Sequence, residues 1–313
     1  MIRIVEVGPR DGLQNESAQI PADAKIAFVD ALSRTGVSEI EVSAFVSPKK
    51  IPQLHDAASV FKGINRRKGV IYSALVPNLV GLDQAIRAGA DKISLFTAAS
   101  NTFTHKNINT TIEGSLDRFQ PVVRKALEAK LPVRGYISTA FWCAYEGRIP
   151  PEAVLDLSFK LLDMGIDEIS ISDTIGKASP DEVAGLLECL LPKIPAARLA
   201  VHFHDTYGRG IANVLKSVSY GITMVDASAG GLGGCPFAPG ATGNVATQAV
   251  VTALKDAGYP MDVDVTGLTD AGQILAPYLS ADPPASPDLS SLACTTCEFF
   301  DGNRCCGRDT RLA

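Results

Sequence analysis

The chain has 313 residues, of which 46% are hydrophobic and 20% charged, with a net charge of -5. That length buries one large core and leaves little room for a second large domain, and the acidic balance excludes a general attraction to nucleic acid or anionic membrane. Met1-Ile2-Arg3-Ile4-Val5 reads directly as a strand and no apolar run is long enough to cross a bilayer, so a cytoplasmic protein is expected.

Short apolar runs alternate with longer amphipathic segments from end to end. Strands are predicted at Ile2–Gly8, Glu39–Phe45, Val70–Val76, Lys92–Thr97, Val133–Thr139, Glu168–Asp173, Leu199–His204 and Met224–Ser228. Helical spacing predicts helices that include Ala22–Thr35, Leu79–Ala88, Ile112–Ala129, Pro151–Met164, Pro180–Leu191 and Gly210–Tyr220. Eight strand-then-helix units specify an α/β protein, a (β/α)8 TIM barrel over residues 1–280 with a short C-terminal extension at 281–313. An open doubly wound sheet is disfavoured because Gly8-Pro9-Arg10-Asp11-Gly12 does not match the glycine-rich phosphate turn such a sheet carries after its first strand.

In a barrel the carboxyl ends of all strands face one mouth, so those ends are read together. The first strand leads to Arg10 and Asp11, the second carries Glu41 and Ser43, the fifth begins with Arg134 and the sixth ends at Asp173. The seventh carries His202 and His204, two residues apart and therefore on one face. Taken alone, the histidines have a bland reading, one packed in a core and the other bonded at the surface. As a set, the mouth residues make a site for a hard cation: Asp11, His202 and His204 supply one anionic and two neutral donors, and Asn244 can add a carbonyl oxygen. With no thiolate among them, Mg2+ or Mn2+ suits the set at least as well as Zn2+. Such an ion holds and acidifies a substrate hydroxyl, and Arg10 is placed to stabilise an oxyanion when a carbon–carbon bond breaks.

After the eighth strand comes Gly230-Gly231-Leu232-Gly233-Gly234-Cys235. Its glycines either supply tight turns or make a mobile loop that carries Cys235 over the site, and the second reading is favoured.

Three motifs carry a resemblance over nearly the whole chain: Val7-Gly8-Pro9-Arg10-Asp11-Gly12-Leu13-Gln14-Asn15-Glu16, His202-Phe203-His204-Asp205-Thr206-Tyr207-Gly208, and Gly231-Leu232-Gly233-Gly234-Cys235-Pro236-Phe237-Ala238. Together they resemble the 3-hydroxy-3-methylglutaryl-CoA lyase family, the third motif most specifically. The resemblance implies a metal-dependent barrel that splits this acyl-CoA into acetyl-CoA and acetoacetate, in leucine catabolism and ketone-body formation. It implies Asp11, His202, His204 and Asn244 as metal ligands, Arg10 as the substrate-binding group that stabilises the enolate, and Cys235 as the catalytic loop cysteine. Glu41 and Asp173 match further polar positions, with roles in substrate placement or proton traffic. Related barrels that run condensations are disfavoured by the Gly-Cys-Pro-Phe loop. A lyase for a longer-chain 3-hydroxy-3-alkylglutaryl-CoA and a weakened or degenerate barrel remain as alternatives.

Two departures stand out. Gln248 occupies a position where the family usually has glutamate, and the tail crowds Cys294, Cys297, Cys305 and Cys306 at spacings that fit zinc sites poorly, which favours free thiols. Lys49, Lys50 and Lys106 lie just beyond strand ends, where they could meet CoA phosphates, although a solvated lysine is the favoured reading of each. A homodimer is expected, since large barrels commonly pair.

Overall fold

Several strands alternate polar and apolar residues while burying both: Glu39-Ile40-Glu41-Val42-Ser43, Lys92-Ile93-Ser94-Leu95 and Glu168-Ile169-Ser170-Ile171-Ser172. Successive side chains on a strand point to opposite faces, so each of these strands needs an apolar partner layer on one side and a polar one on the other. A closed barrel provides both. In the computed structural model, which describes residues 1–16, 18–233 and 243–279, the isoleucines and valines face a ring of helices and the polar residues fill the lumen.

The barrel strands are β1 (Arg3–Glu6), β2 (Glu39–Ala44), β3 (Ile71–Leu75), β4 (Lys92–Ala98), β5 (Val133–Ser138), β8 (Glu168–Asp173), β9 (Leu199–Phe203) and β10 (Met224–Ala227). All pair in parallel, in the order β1-β10-β9-β8-β5-β4-β3-β2, and β2 returns to β1 to close the ring. The short antiparallel hairpin of β6 (Trp142–Cys143) and β7 (Gly147–Arg148) is added after β5. Each predicted strand is present, most of them trimmed at an end where the ladder gives way to a loop.

The helices are α1 (Ala22–Leu32), α2 (Ala57–Gly63), α3 (Leu79–Ala88), α4 (Asn101–Ile108), α5 (Ile112–Glu128), α6 (Pro151–Asp163), α7 (Pro180–Leu190), α8 (Gly210–Ser219), α9 (Thr247–Asp256) and α10 (Val265–Gln273). Local chemistry marks their ends. Ser179 and Glu182 form a reciprocal capping box at the start of α7, and Gly89 ends α3 at a φ of 78°. The helix predicted over Ala22–Thr35 stops at Leu32, with Ser33 and Thr35 turning their hydroxyls onto the carbonyls of Val29 and Leu32. The strand-free segment Asn101–Ile108, poor in strong helix formers, is helical because Ser100 caps it through the Phe103 amide. Cys235, the extension at 281–313 and the four tail cysteines lie outside the described residues.

The lumen is ionic. At the amino ends of the strands Lys92 Nζ pairs with Glu39 at 2.9 Å and Glu168 at 2.5 Å, and deeper in the barrel Arg134 Nη2 pairs with Asp226 at 2.5 Å. Removing one member of such a set strands the others in a low-dielectric interior. Lys92→Met is therefore expected to lower unfolding free energy by about 3–5 kcal/mol, measured by urea titration. Adding Glu39→Leu recovers part of that loss, Glu168 being kept because it also pairs with Arg134; an unchanged midpoint for Lys92→Met alone contradicts this account.

Candidate metal centre

Three separate devices bring the mouth residues together. The first is a wide π-type turn, Gly8–Gly12, which follows β1 and hangs the amides of Arg10, Asp11 and Gly12 on the single carbonyl of Val7. It turns two adjacent side chains, Arg10 and Asp11, over the lumen. The second is β9, which presents His202 and then His204, their ring centroids 5.4 Å apart. The third is the segment after the glycine run, which bridges back to β9: Asp205 N donates to Gly243 O and Val245 N to Phe203 O, so that Asn244 lies opposite His204.

One donor atom each from Asp11, His202 and His204 falls within 4.8 Å of the other two. Asn244 Nδ2 donates to Asp11 Oδ2 at 2.9 Å and to Leu232 O, which turns its carbonyl oxygen away from both. That Asn244 Oδ1 and the Nδ1 of His204 are buried and find no hydrogen-bond partner among the described residues. Orphaned acceptors of this kind are costly unless something occupies them. Two ion-paired sets, Lys92 and Arg134 with Glu39, Glu168 and Asp226 in the lumen and Arg10 with Glu41 and Asp11 at the mouth, each hold one more acid than base, an excess of two negative charges together. Hard oxygen and imidazole donors, orphaned acceptors and that charge excess fit a divalent cation.

The electrostatics prepare the donors. Burial pushes the Asp11 carboxyl up, but Arg10, His202 and His204 outweigh it and hold the group well below the usual carboxylate range. Burial pushes His204 down to about 4, aided by His202, so its ring is neutral near pH 7 and keeps one nitrogen lone pair free. Arg10 donates through Nε to Glu41 Oε2 and through Nη1 to Asp11 Oδ1, each at 2.5 Å, and lies 5.4 Å from the centroid of the Tyr136 ring. Glu41 is in turn bonded by Ser94 Oγ and, at 3.3 Å, by Tyr136 Oη. A bulge in β2 between Glu41 and Ser43 lies beside this contact.

Other predicted residues are placed differently. Arg134 sits near the amino end of β5, below the mouth, because it is the second residue of its strand; it belongs to the lumen network and not to the rim. Asp173 ends β8, and its two oxygens accept the amides of Lys177 and Ala178, closing the loop before α7; burial pushes its carboxyl up to about 6. Gln248 Oε1 accepts the Gly230 amide at 3.0 Å, a contact that a carboxylate oxygen would make equally well. Lys49 and Lys50 are exposed, and Lys106 Nζ lies 4.8 Å from the Tyr145 ring centroid.

The described glycines of the run make turns. Gly233, at a φ of 100°, packs so closely that a Cβ there would meet Asn244 Nδ2 at 2.8 Å and Gly12 Cα at 3.0 Å. Gly233 O also accepts the Asn244 amide. The described part of the run is a strut between the Arg10–Asp11 turn and Asn244; the rest of the expected mobile loop, with Cys235, lies outside the described residues.

Sequence reasoning passed over Tyr136, Asp226 and Glu6. The first two lie at lumen positions of alternating strands, which was their signal. Glu6, the last residue of β1, is fully buried and accepts three hydrogen bonds, from Gly8 N and Ala229 N at 2.8 Å and from Thr247 Oγ1 at 2.7 Å. It ties the turn bearing Arg10 and Asp11 to the end of β10 and the start of α9.

Known proteins are similar to this chain over most of its length. The family model described as HMGL-like matches residues 1–275. Cytoplasmic 3-hydroxy-3-methylglutaryl-CoA lyase of Rattus norvegicus is 48% identical over 274 residues, covering 88% of this chain and 80% of the relative. Mitochondrial hydroxymethylglutaryl-CoA lyase of Gallus gallus is 47% identical over 279 residues, covering 89% of this chain and 94% of the relative. The crystal structure of the HMG-CoA lyase from Brucella melitensis superposes with a TM-score of 0.86 at 46% identity, covering 88% of this chain and 98% of that one. No helix among the described residues is long and apolar enough to cross a membrane.

The Glu6 clamp has a pH signature. Burial pushes its carboxyl from 4.5 to about 7 despite the hydrogen bonds that favour the ion. The folded state therefore holds this proton more tightly than the unfolded chain, and the resulting stability is complete below pH 4.5 and lost as pH rises through about 7. Relative to Glu6→Gln, which cannot ionise, the parent protein is expected to lose roughly 3 kcal/mol between those limits. Urea unfolding of both proteins across the range checks this; parallel stability curves would refute it.

Proposed function

Because the chain belongs to the HMGL-like family, we propose that it is a divalent-metal-dependent carbon–carbon lyase that splits 3-hydroxy-3-methylglutaryl-CoA into acetyl-CoA and acetoacetate. The observation that carries the reading is the cluster of Asp11, His202 and His204 beside the buried guanidinium of Arg10 at the barrel mouth. Asp11, His202, His204 and Asn244 hold the ion, and Mg2+ or Mn2+ suits their hard donors better than a thiophilic metal. When bound, the ion supplies Lewis acidity that lowers the pKa of a substrate hydroxyl.

The chain's residues perform the rest. The C3 hydroxyl proton passes to a solvent base, and the electron pair it leaves on oxygen forms the ketone of acetoacetate as the C2–C3 bond breaks. The bonding pair passes to the thioester, which leaves as the enolate of acetyl-CoA. Arg10, fixed by Glu41 and Asp11, meets the negative charge growing on the thioester oxygen, and its geometry is set before the reaction begins. Tyr136 and Ser94 hold Glu41, and so hold Arg10. A proton then returns to C2 of the enolate, and Cys235 is the donor carried over from the family motif. Asp173 shapes the loop over the site through the amides of Lys177 and Ala178. The products connect such an activity to leucine catabolism and ketone-body formation.

The test is release of acetyl-CoA from 3-hydroxy-3-methylglutaryl-CoA with Mg2+, with Mn2+ and after chelation, beside one longer-chain analogue. Metal-dependent release from the methyl substrate is expected. Release from the analogue only would change the substrate, and no release from either would overturn the lyase reading. Arg10→Gln is expected to lower kcat by roughly 10²–10³, and Asp11→Asn to abolish stimulation by metal. Normal turnover by Cys235→Ala would remove that thiol from the proton transfer.

A further inference from the structure

His202 and His204 are alike in sequence but not in their surroundings. The Nδ1 of His204 is buried without a hydrogen-bond partner among the described residues. The Nδ1 of His202 faces a carboxylate, Asp226 Oδ2, at 3.3 Å, while its Nε2 lies 3.9 Å from Asp11 Oδ2. Asp226 is itself buried inside the barrel on β10. Its Oδ1 is taken by Arg134 Nη2 at 2.5 Å, and its Oδ2 accepts Ser170 Oγ at 2.9 Å.

We propose that Asp226 is a positioning residue for the metal centre: it accepts the Nδ1 proton of His202, locks the ring in one tautomer and leaves the Nε2 lone pair directed at the ion beside Asp11. This inference rests on the metal-centre reading above and deepens it. An ionised carboxylate has only acceptors, so a hydrogen bond between Asp226 and His202 requires the proton to be on Nδ1. The neutral ring then has no proton on Nε2, and the atom nearest to it on Asp11 is another acceptor. Two acceptors converging at 3.9 Å, too far apart for a hydrogen bond between them, leave room for a cation to be held by both.

Two neighbours hold Asp226 in place for this work, and a third holds the imidazole. Arg134 from β5 keeps it charged, Ser170 from β8 fixes the orientation of Oδ2, and Tyr136 packs edge-on against the His202 ring at a centroid distance of 6.2 Å. Had Asp226 served only as the counter-ion of Arg134, Oδ1 would suffice; Oδ2 is committed instead to Ser170 and His202. Carboxylate partners behind a ligating histidine typically contribute 10–100-fold to metal affinity.

Two measurements on the full chain test the proposal, and neither depends on turnover. The first is the tautomer of His202 in the metal-free protein at about pH 8, read from side-chain nitrogen–proton correlation spectra assigned with His202→Gln. The expected state carries the proton on Nδ1; a proton on Nε2 in the parent protein overturns the proposal. The second is direct Mn2+ binding by calorimetry to the parent, Asp11→Asn, Asp226→Asn and Ser170→Ala. Asp226→Asn is expected to bind Mn2+ about 10–100-fold more weakly with a mixed tautomer, and Ser170→Ala to weaken binding by a smaller factor. Parent-like affinity and tautomer in Asp226→Asn overturn the positioning role while leaving the metal centre standing. Equal binding by parent and Asp11→Asn overturns the metal centre itself. Should Asp226→Asn fail to fold, Ser170→Ala and the parent tautomer decide the matter, and an unchanged Mn2+ affinity in Ser170→Ala then counts against the proposal.

Discussion

The constraint on which this structure turns is the pairing of charge inside a closed barrel. A lumen walled by parallel strands has no water to spare for stray ions, so every charged side chain that points inward has to find a partner across the barrel. Lys92 spans from β4 to Glu39 on β2 and Glu168 on β8, and Arg134 spans from β5 to Asp226 on β10. These contacts join strands far apart in sequence and set one register. Packed apolar residues would hold the same strands together with less desolvation; the ionic filling instead leaves one acid uncancelled in the lumen and one at the mouth.

The centre grows out of that network. Asp226 touches His202, Glu41 holds Arg10, and Arg10 holds Asp11, so the groups at the mouth are anchored from below by buried partners. From above they are fixed by backbone: the turn of Gly8–Gly12, the strut at Gly233 and the return of residues 243–246 to the ends of β9 and β10. Glu6 ties two of these pieces to each other through three hydrogen bonds. Ligands held at both ends lose little entropy when an ion binds, which is the advantage of building a metal centre on strand ends over building it on free loops.

Roles that look alike in sequence separate once partners are assigned. Arg10 and Arg134 are both arginines near strands, yet one faces the mouth and the other the lumen, since one follows the end of β1 and the other begins β5. Asp11 and Asp173 both sit at or just past strand ends; arginine and imidazole neighbours pull the first down, while burial pushes the second up against the pull of its backbone amides. Gly230, Gly231 and Gly233 all read as glycine in a run, and each takes a left-handed backbone, with φ of 70°, 67° and 100°. In each case the deciding quantity is what lies within a few ångströms, and that is a property of the folded chain.

By itself the sequence determined the eight strand-and-helix units, the barrel they close into, and the histidine pair on one face of a strand, because hydrophobic period and strand geometry are local properties. The motifs around Arg10-Asp11, His202–Gly208 and Gly231–Ala238 were equally legible, being contiguous. What only the tertiary structure decided was the partnership of residues distant in the chain: Asn244 with Asp11, Tyr136 with Glu41, Asp226 with His202, and Glu6 with Thr247. The alternation in Glu39-Ile40-Glu41-Val42 and Glu168-Ile169-Ser170-Ile171 announces a polar face, but a polar face turned to solvent and one turned into a barrel are written alike. Closure of the sheet removes the water, and with it the default partner of every polar group on that face; the identity of the replacement depends on which strand lies across the lumen.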